Sequence, residues 1–246
     1  MNFIIDIDGT LMNSMGANLD SIEFINTLKK SGYNFVVSTN SIKSPRAISQ
    51  RLIDAGIDIK ENQIITPICA INTFITANSY QKALIVGSQL EIDQIEIQQE
   101  NQHPDVIVFL DFEKENYSFS NLQMIYSHMQ KGISAITASN SLFYFRNGNK
   151  TLDTGSFVKL FENATNRQVI NLGKPSLEFF QNCLMKLQSQ PSDVIVIGDD
   201  WSTDILGAFE CGCMSLLLKS GKYQQGDESN CKPTRTISKL MEVFNV

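Results

Sequence analysis

The chain has 246 residues, of which 42% are hydrophobic and 19% charged, and a formal net charge of −6. That length allows one large domain or two smaller ones with an ample core. The acidic balance argues against nucleic acid as a main partner. No apolar run approaches the roughly 18 residues that a membrane span needs. Five cysteines, with no Cys-x-x-Cys among them, point to reduced thiols rather than disulfides or a zinc site. The two histidines, His103 and His128, lack ligand-spaced partners. Asp6 and Asp8 interrupt the only signal-like apolar stretch, so a cytoplasmic protein is expected.

Phe3-Ile4-Ile5 opens the chain as a buried strand that runs into Asp6-Ile7-Asp8-Gly9-Thr10. Alternation along a strand sends Asp6 and Asp8 to the same side. Two carboxylates about 4 Å apart, at an effective dielectric near 20, repel by roughly 4 kcal/mol. A plain Asp-Gly turn explains one acid but not two, so a cation or a shared proton is the better reason for the pair. A helix follows with Leu19, Ile22, Ile25 and Leu28 on one face and Gly32 at its end. Tyr33 to Val37 reads as a second strand, ending in Ser38-Thr39-Asn40-Ser41. Ser44-Pro45 opens a helix with Pro at its first turn, and Gly56 closes it. Strand, helix, strand, helix argues for a parallel sheet.

A helix over 67–77, a strand over 82–87, a helix rich in Glu and Gln, a strand over 105–110, a helix over 120–131 and a strand over 133–138 come next. Phe143 to Gly148 reads as an extended piece entering a turn, and 155–163 as a helix. This middle third alternates on its own account, so it is expected to be a separate inserted domain. The last third resumes the opening pattern. A short strand over 169–172 ends in Gly173-Lys174-Pro175-Ser176, and a helix carries Leu177, Phe180, Leu184 and Leu187. The β-branched strand 193–197 ends in Gly198-Asp199-Asp200 with Asp204 beyond. A strand over 214–218 and a helix over 237–244 finish the chain.

Four polar clusters therefore stand just after predicted strands: Asp6 and Asp8, Ser38-Thr39-Asn40, Lys174, and Asp199-Asp200 with Asp204. In a doubly wound sheet ligands bind outside the carboxyl ends of the strands. Asp6, Asp8 and Asp199 offer hard oxygens suited to Mg²⁺. Ser38, Thr39 and Asn40 can hydrogen-bond a phosphate, and Lys174 supplies a positive charge for it. Each cluster alone also reads blandly, as a turn, a helix cap or a solvated lysine. Their joint occurrence at strand ends carries the functional reading.

These segments resemble the four motifs of the haloacid dehalogenase (HAD) superfamily and, within it, the phosphatases of the NagD-like branch (subfamily IIA). The roughly hundred-residue insertion resembles that branch's C2-type cap, and Lys219-Ser220-Gly221-Lys222-Tyr223 is also similar to the branch. The resemblance implies a doubly wound, Rossmann-like α/β core over 1–70 and 171–246, with an α/β cap over 71–170 that selects substrate. It implies a Mg²⁺-dependent phosphatase acting on a small phosphorylated metabolite. Asp6 would be the nucleophile that forms an aspartyl-phosphate, and Asp8 the general acid and base. Mg²⁺ would be held by the Asp6 carboxylate, the Asp8 backbone carbonyl and the Asp199 carboxylate. Ser38 and Lys174 would bind the phosphoryl group with Thr39 and Asn40 in the same loop, while Asp200 and Asp204 stand behind them. Ser38-Thr39-Asn40 departs from the branch's frequent Thr-Asn-Asn. In the cap, Asp153, Thr154 and Gly155, and then Asn140, Tyr144 and Arg146, are candidates for contacting the leaving group. A homodimer through the cap would suit the branch. The competing reading is a non-catalytic or slow phosphoacceptor with a receiver-like site.

Overall fold

The computed structural model describes residues 1–112, 118–146 and 149–245. The chain divides into two compact units, Met1–Thr66 with Lys174–Val246, and Pro67–Gly173. In the first unit six parallel strands form one sheet in the order Arg235–Ile237, Met214–Leu218, Val194–Gly198, Asn2–Asp6, Asn34–Ser38, Ile64–Ile65. Strands buried on both faces should read as continuous apolar runs, and Phe3-Ile4-Ile5 and Val194-Ile195-Val196-Ile197 do so with every residue buried. Alternate residues Phe3, Ile5, Phe35, Val37, Ile195 and Ile197 share one core cluster with Phe24 and Leu28 of the Ser21–Lys30 helix.

The strand order fixes where a site can lie. From Asn2–Asp6 the chain moves to one side through Asn34–Ser38, and the last third returns to the other side through Val194–Gly198. Asn2–Asp6 is thus the switch point of a doubly wound sheet, where a crevice opens beyond the strand ends. Asp6 pairs in register with Ser38, and Ile5 with Ile197, so Asp199 follows one strand end at nearly the level of Asp6. The Pro45–Asp54 helix starts where the sequence indicates, with the Ser44 hydroxyl accepting from Ala47 N–H at 3.2 Å.

The second unit is a five-stranded parallel sheet in the order Ile170–Asn171, Ser134–Thr137, Val106–Phe109, Lys82–Val86, Gln98–Gln99. An antiparallel hairpin pairs Phe143–Arg146 with Asn149–Leu152. Its core stacks Phe109 on Phe161 at 5.6 Å between ring centroids and Phe112 on Phe157 at 4.3 Å. Asn147 and Gly148, the predicted turn, lie outside the described residues, as does the Arg146 side chain.

Leu19 precedes the Ser21–Lys30 helix and, like Ile22 and Leu177, is exposed rather than on a buried apolar face. Two elements also differ from the sequence expectation. The Glu- and Gln-rich segment makes only the one-turn helix Gln89–Ile92 before the short edge strand Gln98–Gln99. Residues 237–244 are not one helix: Ile237 ends the edge strand Arg235–Ile237, and Leu240–Asn245 is 3₁₀. Among the described residues no helix is long and apolar enough to cross a membrane.

Candidate active site

Asp6 ends the central strand and is buried. Lys174 arrives from the loop before the Leu177–Leu187 helix, and its Nζ donates to Asp6 Oδ1 at 2.6 Å and to Asp204 Oδ1 at 2.7 Å. Asp204 stands in the π-helical turn Trp201–Ile205, just beyond the Val194–Gly198 strand. Asp199 is 1% exposed. Carboxylate oxygens of Asp6, Asp199 and Asp204 all lie within 4.8 Å of one another. Three buried acids facing one ammonium leave negative charge uncompensated, which is costly in a poorly solvated interior.

The titration of these groups expresses that cost. Burial, only partly offset by Lys174, pushes Asp6 up to about 7, with Asp199 adding to the rise. Burial does the same to Asp204, again to about 7, against the attraction of Lys174. Asp199 is raised, by burial first, while the Lys222 N–H works against it. Lys174 is held above its ordinary value: burial opposes its charge, but the carboxylates of Asp204 and Asp6 outweigh it. The repulsion between Asp6 and Asp8 that the sequence emphasised is a small contributor, because burial dominates.

The Asp8 carboxylate has partners of its own. It accepts from Thr39 Oγ1 at 3.1 Å and from Arg51 at 2.8 Å, with about half of its side chain exposed. Thr39, the residue that departs from the branch's pattern, thus contacts Asp8 directly. Asn40 lines the cavity and also grips the backbone of Lys174. Its Oδ1 accepts from Lys174 N–H at 2.8 Å and its Nδ2 donates to the Lys174 carbonyl at 3.3 Å. That two-point clasp joins the loop after Asn34–Ser38 to the loop carrying Lys174. Ser38 Oγ is buried and, among the described residues, has no hydrogen-bond partner. Asp200 caps the turn that holds Asp204, accepting from Ser202 N–H at 2.9 Å, and pairs with Lys222 at 3.0 Å. Burial pushes Asp200 up, but Ser202 and Lys222 together hold it below its ordinary value.

Asp6, Asp8, Thr39, Asn40, Lys174, Asp199, Asp200 and Asp204 line one cavity of about 120 Å³, with Ser41, Thr203 and Lys222 completing it. A larger cavity of about 320 Å³ in the Pro67–Gly173 unit is lined by Met129, Ser134, Arg167 and their neighbours, and holds no predicted site residue. In that unit Asp153 accepts from Thr154 N–H at 2.7 Å and the buried Thr154 hydroxyl donates to the Leu110 carbonyl at 3.2 Å. Both contacts hold the start of the Thr154–Thr165 helix.

The residues present fit a divalent cation. Asp6 Oδ2 is buried without a hydrogen-bond partner among the described residues, beside two further carboxylates. Hard oxygens with uncompensated negative charge are the donor set of Mg²⁺ or Ca²⁺. The sequence reading did not single out Arg51, Thr10 or Ser220 for the site. Thr10 Oγ1 donates to Asp199 Oδ1 at 3.2 Å, and Ser220 Oγ to the Gly9 carbonyl at 2.7 Å.

Along most of its length the chain is similar to known proteins. A family model described as haloacid dehalogenase-like hydrolase matches residues 3–99, and a second, HAD-hydrolase-like, matches 171–243. The chain is 27% identical over 242 residues to the Xenopus laevis phospholysine phosphohistidine inorganic pyrophosphate phosphatase, covering 94% of this chain and 87% of that protein. In structure it resembles NagD from E. coli K-12, with a TM-score of 0.89 and 23% identity over 98% of this chain and 97% of that one. It resembles the p-nitrophenyl phosphatase from Archaeoglobus fulgidus equally well, with a TM-score of 0.89 and 20% identity over 99% and 98%.

Proposed function

We propose that this chain, a phosphatase belonging to the haloacid dehalogenase-like hydrolases, hydrolyses a small phosphorylated metabolite through an aspartyl-phosphate on Asp6. The observation that carries the reading is the bridge of Lys174 Nζ between Asp6 and Asp204, inside a cavity that Asp8 also lines. The site offers a nucleophile, a fixed positive charge and a second acid, all at adjacent strand ends.

In the first step an Asp6 carboxylate oxygen attacks phosphorus, and the bond from phosphorus to the leaving oxygen breaks. Asp8 gives its proton to that oxygen, so the leaving group departs neutral. In the second step Asp8 takes a proton from water as the water oxygen attacks phosphorus. The bond to Asp6 then breaks, and inorganic phosphate and the free carboxylate are regenerated. Throughout, Lys174 faces the phosphoryl oxygens with a charge that Asp204 orients, and Asn40 fixes the backbone from which Lys174 reaches in. The Ser38 hydroxyl, buried and without a hydrogen-bond partner among the described residues though outside the cavity lining, supplies a further donor. Mg²⁺, held by the Asp6 carboxylate, the Asp8 backbone carbonyl and the Asp199 carboxylate, would supply the charge that lets one anion approach another.

The cavity's 120 Å³ is well below the roughly 300 Å³ at which whole-ligand pockets begin. It suits a phosphoryl head group, so these residues select for phosphate and leave the rest of the substrate to other parts of the chain. We assign that selection to the 71–170 cap. The test is hydrolysis of p-nitrophenyl phosphate by wild type and Asp6→Asn, each with and without Mg²⁺. Metal-dependent turnover that disappears in a folded Asp6→Asn protein is the expected result. A folded Asp6→Asn protein that keeps its turnover overturns the mechanism. A stable phosphoenzyme without turnover would favour the phosphoacceptor reading.

A further inference from the structure

The Lys219–Tyr223 segment has no part in the mechanism above, yet its backbone lies against the cation site. We propose that Ser220-Gly221-Lys222 is the positioning element for Asp199, fixing that carboxylate for the cation. The proposal rests on the reading of Asp199 as a cation ligand and concerns what makes it one.

The geometry is that of a clamp. Asp199 Oδ2 accepts from the Lys222 backbone N–H at 2.7 Å, and Oδ1 from the Thr10 hydroxyl at 3.2 Å. Each oxygen is therefore held by one donor. Two glycine backbones pack on the same carboxylate. Gly9 and Gly221 both have positive φ, +106° and +52°, and a Cβ on either would overlap Asp199 Oδ2. The two glycine loops are far apart in sequence but tied together, since Ser220 Oγ donates to the Gly9 carbonyl at 2.7 Å. Lys222 also anchors the loop through Nζ, which pairs with Asp200. A carboxylate gripped from three sides has lost its rotamer freedom before a cation arrives, so binding need not order it. Partners that orient a metal ligand in this way typically contribute about 10–100-fold in affinity.

The clamp acts through the Lys222 N–H and the absent Cβ of Gly221, and its test separates those from side-chain charge. Mn²⁺, visible by electron paramagnetic resonance, is titrated into metal-free wild type, Gly221→Ala, Ser220→Ala, Lys222→Met and Asp199→Asn, with circular dichroism as the check on folding. Gly221→Ala should weaken Mn²⁺ by about tenfold or more, approaching Asp199→Asn, and Ser220→Ala should weaken it less. Lys222→Met keeps the N–H and loses only the Nζ–Asp200 anchor, so it should weaken Mn²⁺ less than Gly221→Ala does. If Asp199→Asn loses Mn²⁺ while folded Gly221→Ala binds as wild type does, the clamp is wrong and the ligand reading stands. If Asp199→Asn also binds as wild type does, both fall. Should Gly221→Ala fail to fold, Ser220→Ala decides, and an unchanged affinity there overturns the proposal.

Discussion

Asn40 shows how far a side chain's work can sit from the reading of its motif. Its place after a strand suggested a phosphate contact, and its amide also clasps the Lys174 backbone at two points. Asn40→Ala removes two hydrogen bonds worth about 1 kcal/mol each and frees the loop that aims Lys174. We expect kcat/KM to fall by about tenfold or more while the melting temperature shifts by only a few degrees; steady-state kinetics beside a thermal melt checks this. Asp8→Asn tests a different function. The amide N–H is far too weak an acid to protonate the leaving oxygen, so turnover should fall by about 10²–10⁴-fold, while Asp6 can still be phosphorylated. Acid quenching with labelled substrate should trap that phosphoenzyme, and wild-type turnover by Asp8→Asn would remove Asp8 from its role. The acids and Lys174 were legible in the sequence because charged residues at the ends of apolar strands have few structural reasons to be there. Arg51 was not legible, and Thr10 and Ser220, though they stand in stretches that resemble the family, gave no sign of their partners. They are common surface types, and their partners lie 43, 189 and 211 residues away, a distance that no local pattern spans.

Elements were legible where burial leaves a repeating mark. The strands Asn2–Asp6 and Val194–Gly198 and the helix Pro67–Ala77 stand where their apolar patterns put them. The pattern misleads at the end of the chain. Ile237, Leu240, Met241 and Phe244 recur at helical spacing, but the same spacing suits a strand end followed by a 3₁₀ turn whose apolar residues dip into one core. Ile237 and Leu240 are both buried there, and Phe244 packs on Phe24 at 5.8 Å between centroids. The 3₁₀ segment is also tied to the Ser21–Lys30 region, with Met241 N–H donating to Asp20 at 3.1 Å. It is therefore core and not a frayed tail. Leu240→Ala should destabilise the protein by about 2–5 kcal/mol, as for other buried leucines, seen as a lower denaturant midpoint. A loss below about 0.5 kcal/mol, the range of ordinary surface changes, would show that the segment is dispensable.

For the whole molecule, the net charge of −6 matters less than where the acids lie. Asp6 and Asp204 have ordinary values of 3.8 and are raised to about 7 in the folded chain. Between those limits the folded state binds more protons than the unfolded state, so stability without metal falls as pH rises through that window and levels off above it. Lys174 adds no slope there, because it is protonated in both states. A divalent cation held by Asp6 competes with the proton on that carboxylate, so its affinity should rise over the same interval. Its stabilisation grows as RT ln(1 + [L]/Kd), about 2.7 kcal/mol at a hundredfold excess over Kd. Thermal melts in EDTA and in Mg²⁺, from about pH 5 to about pH 8, should therefore diverge, with a small gain from Mg²⁺ at the acid end and a large one at the alkaline end. Asp6→Asn, which cannot titrate there, should flatten the EDTA series and shrink the gain. A Mg²⁺ gain independent of pH in wild type would mean that the cation does not engage Asp6, and that the buried acids are balanced by some other means.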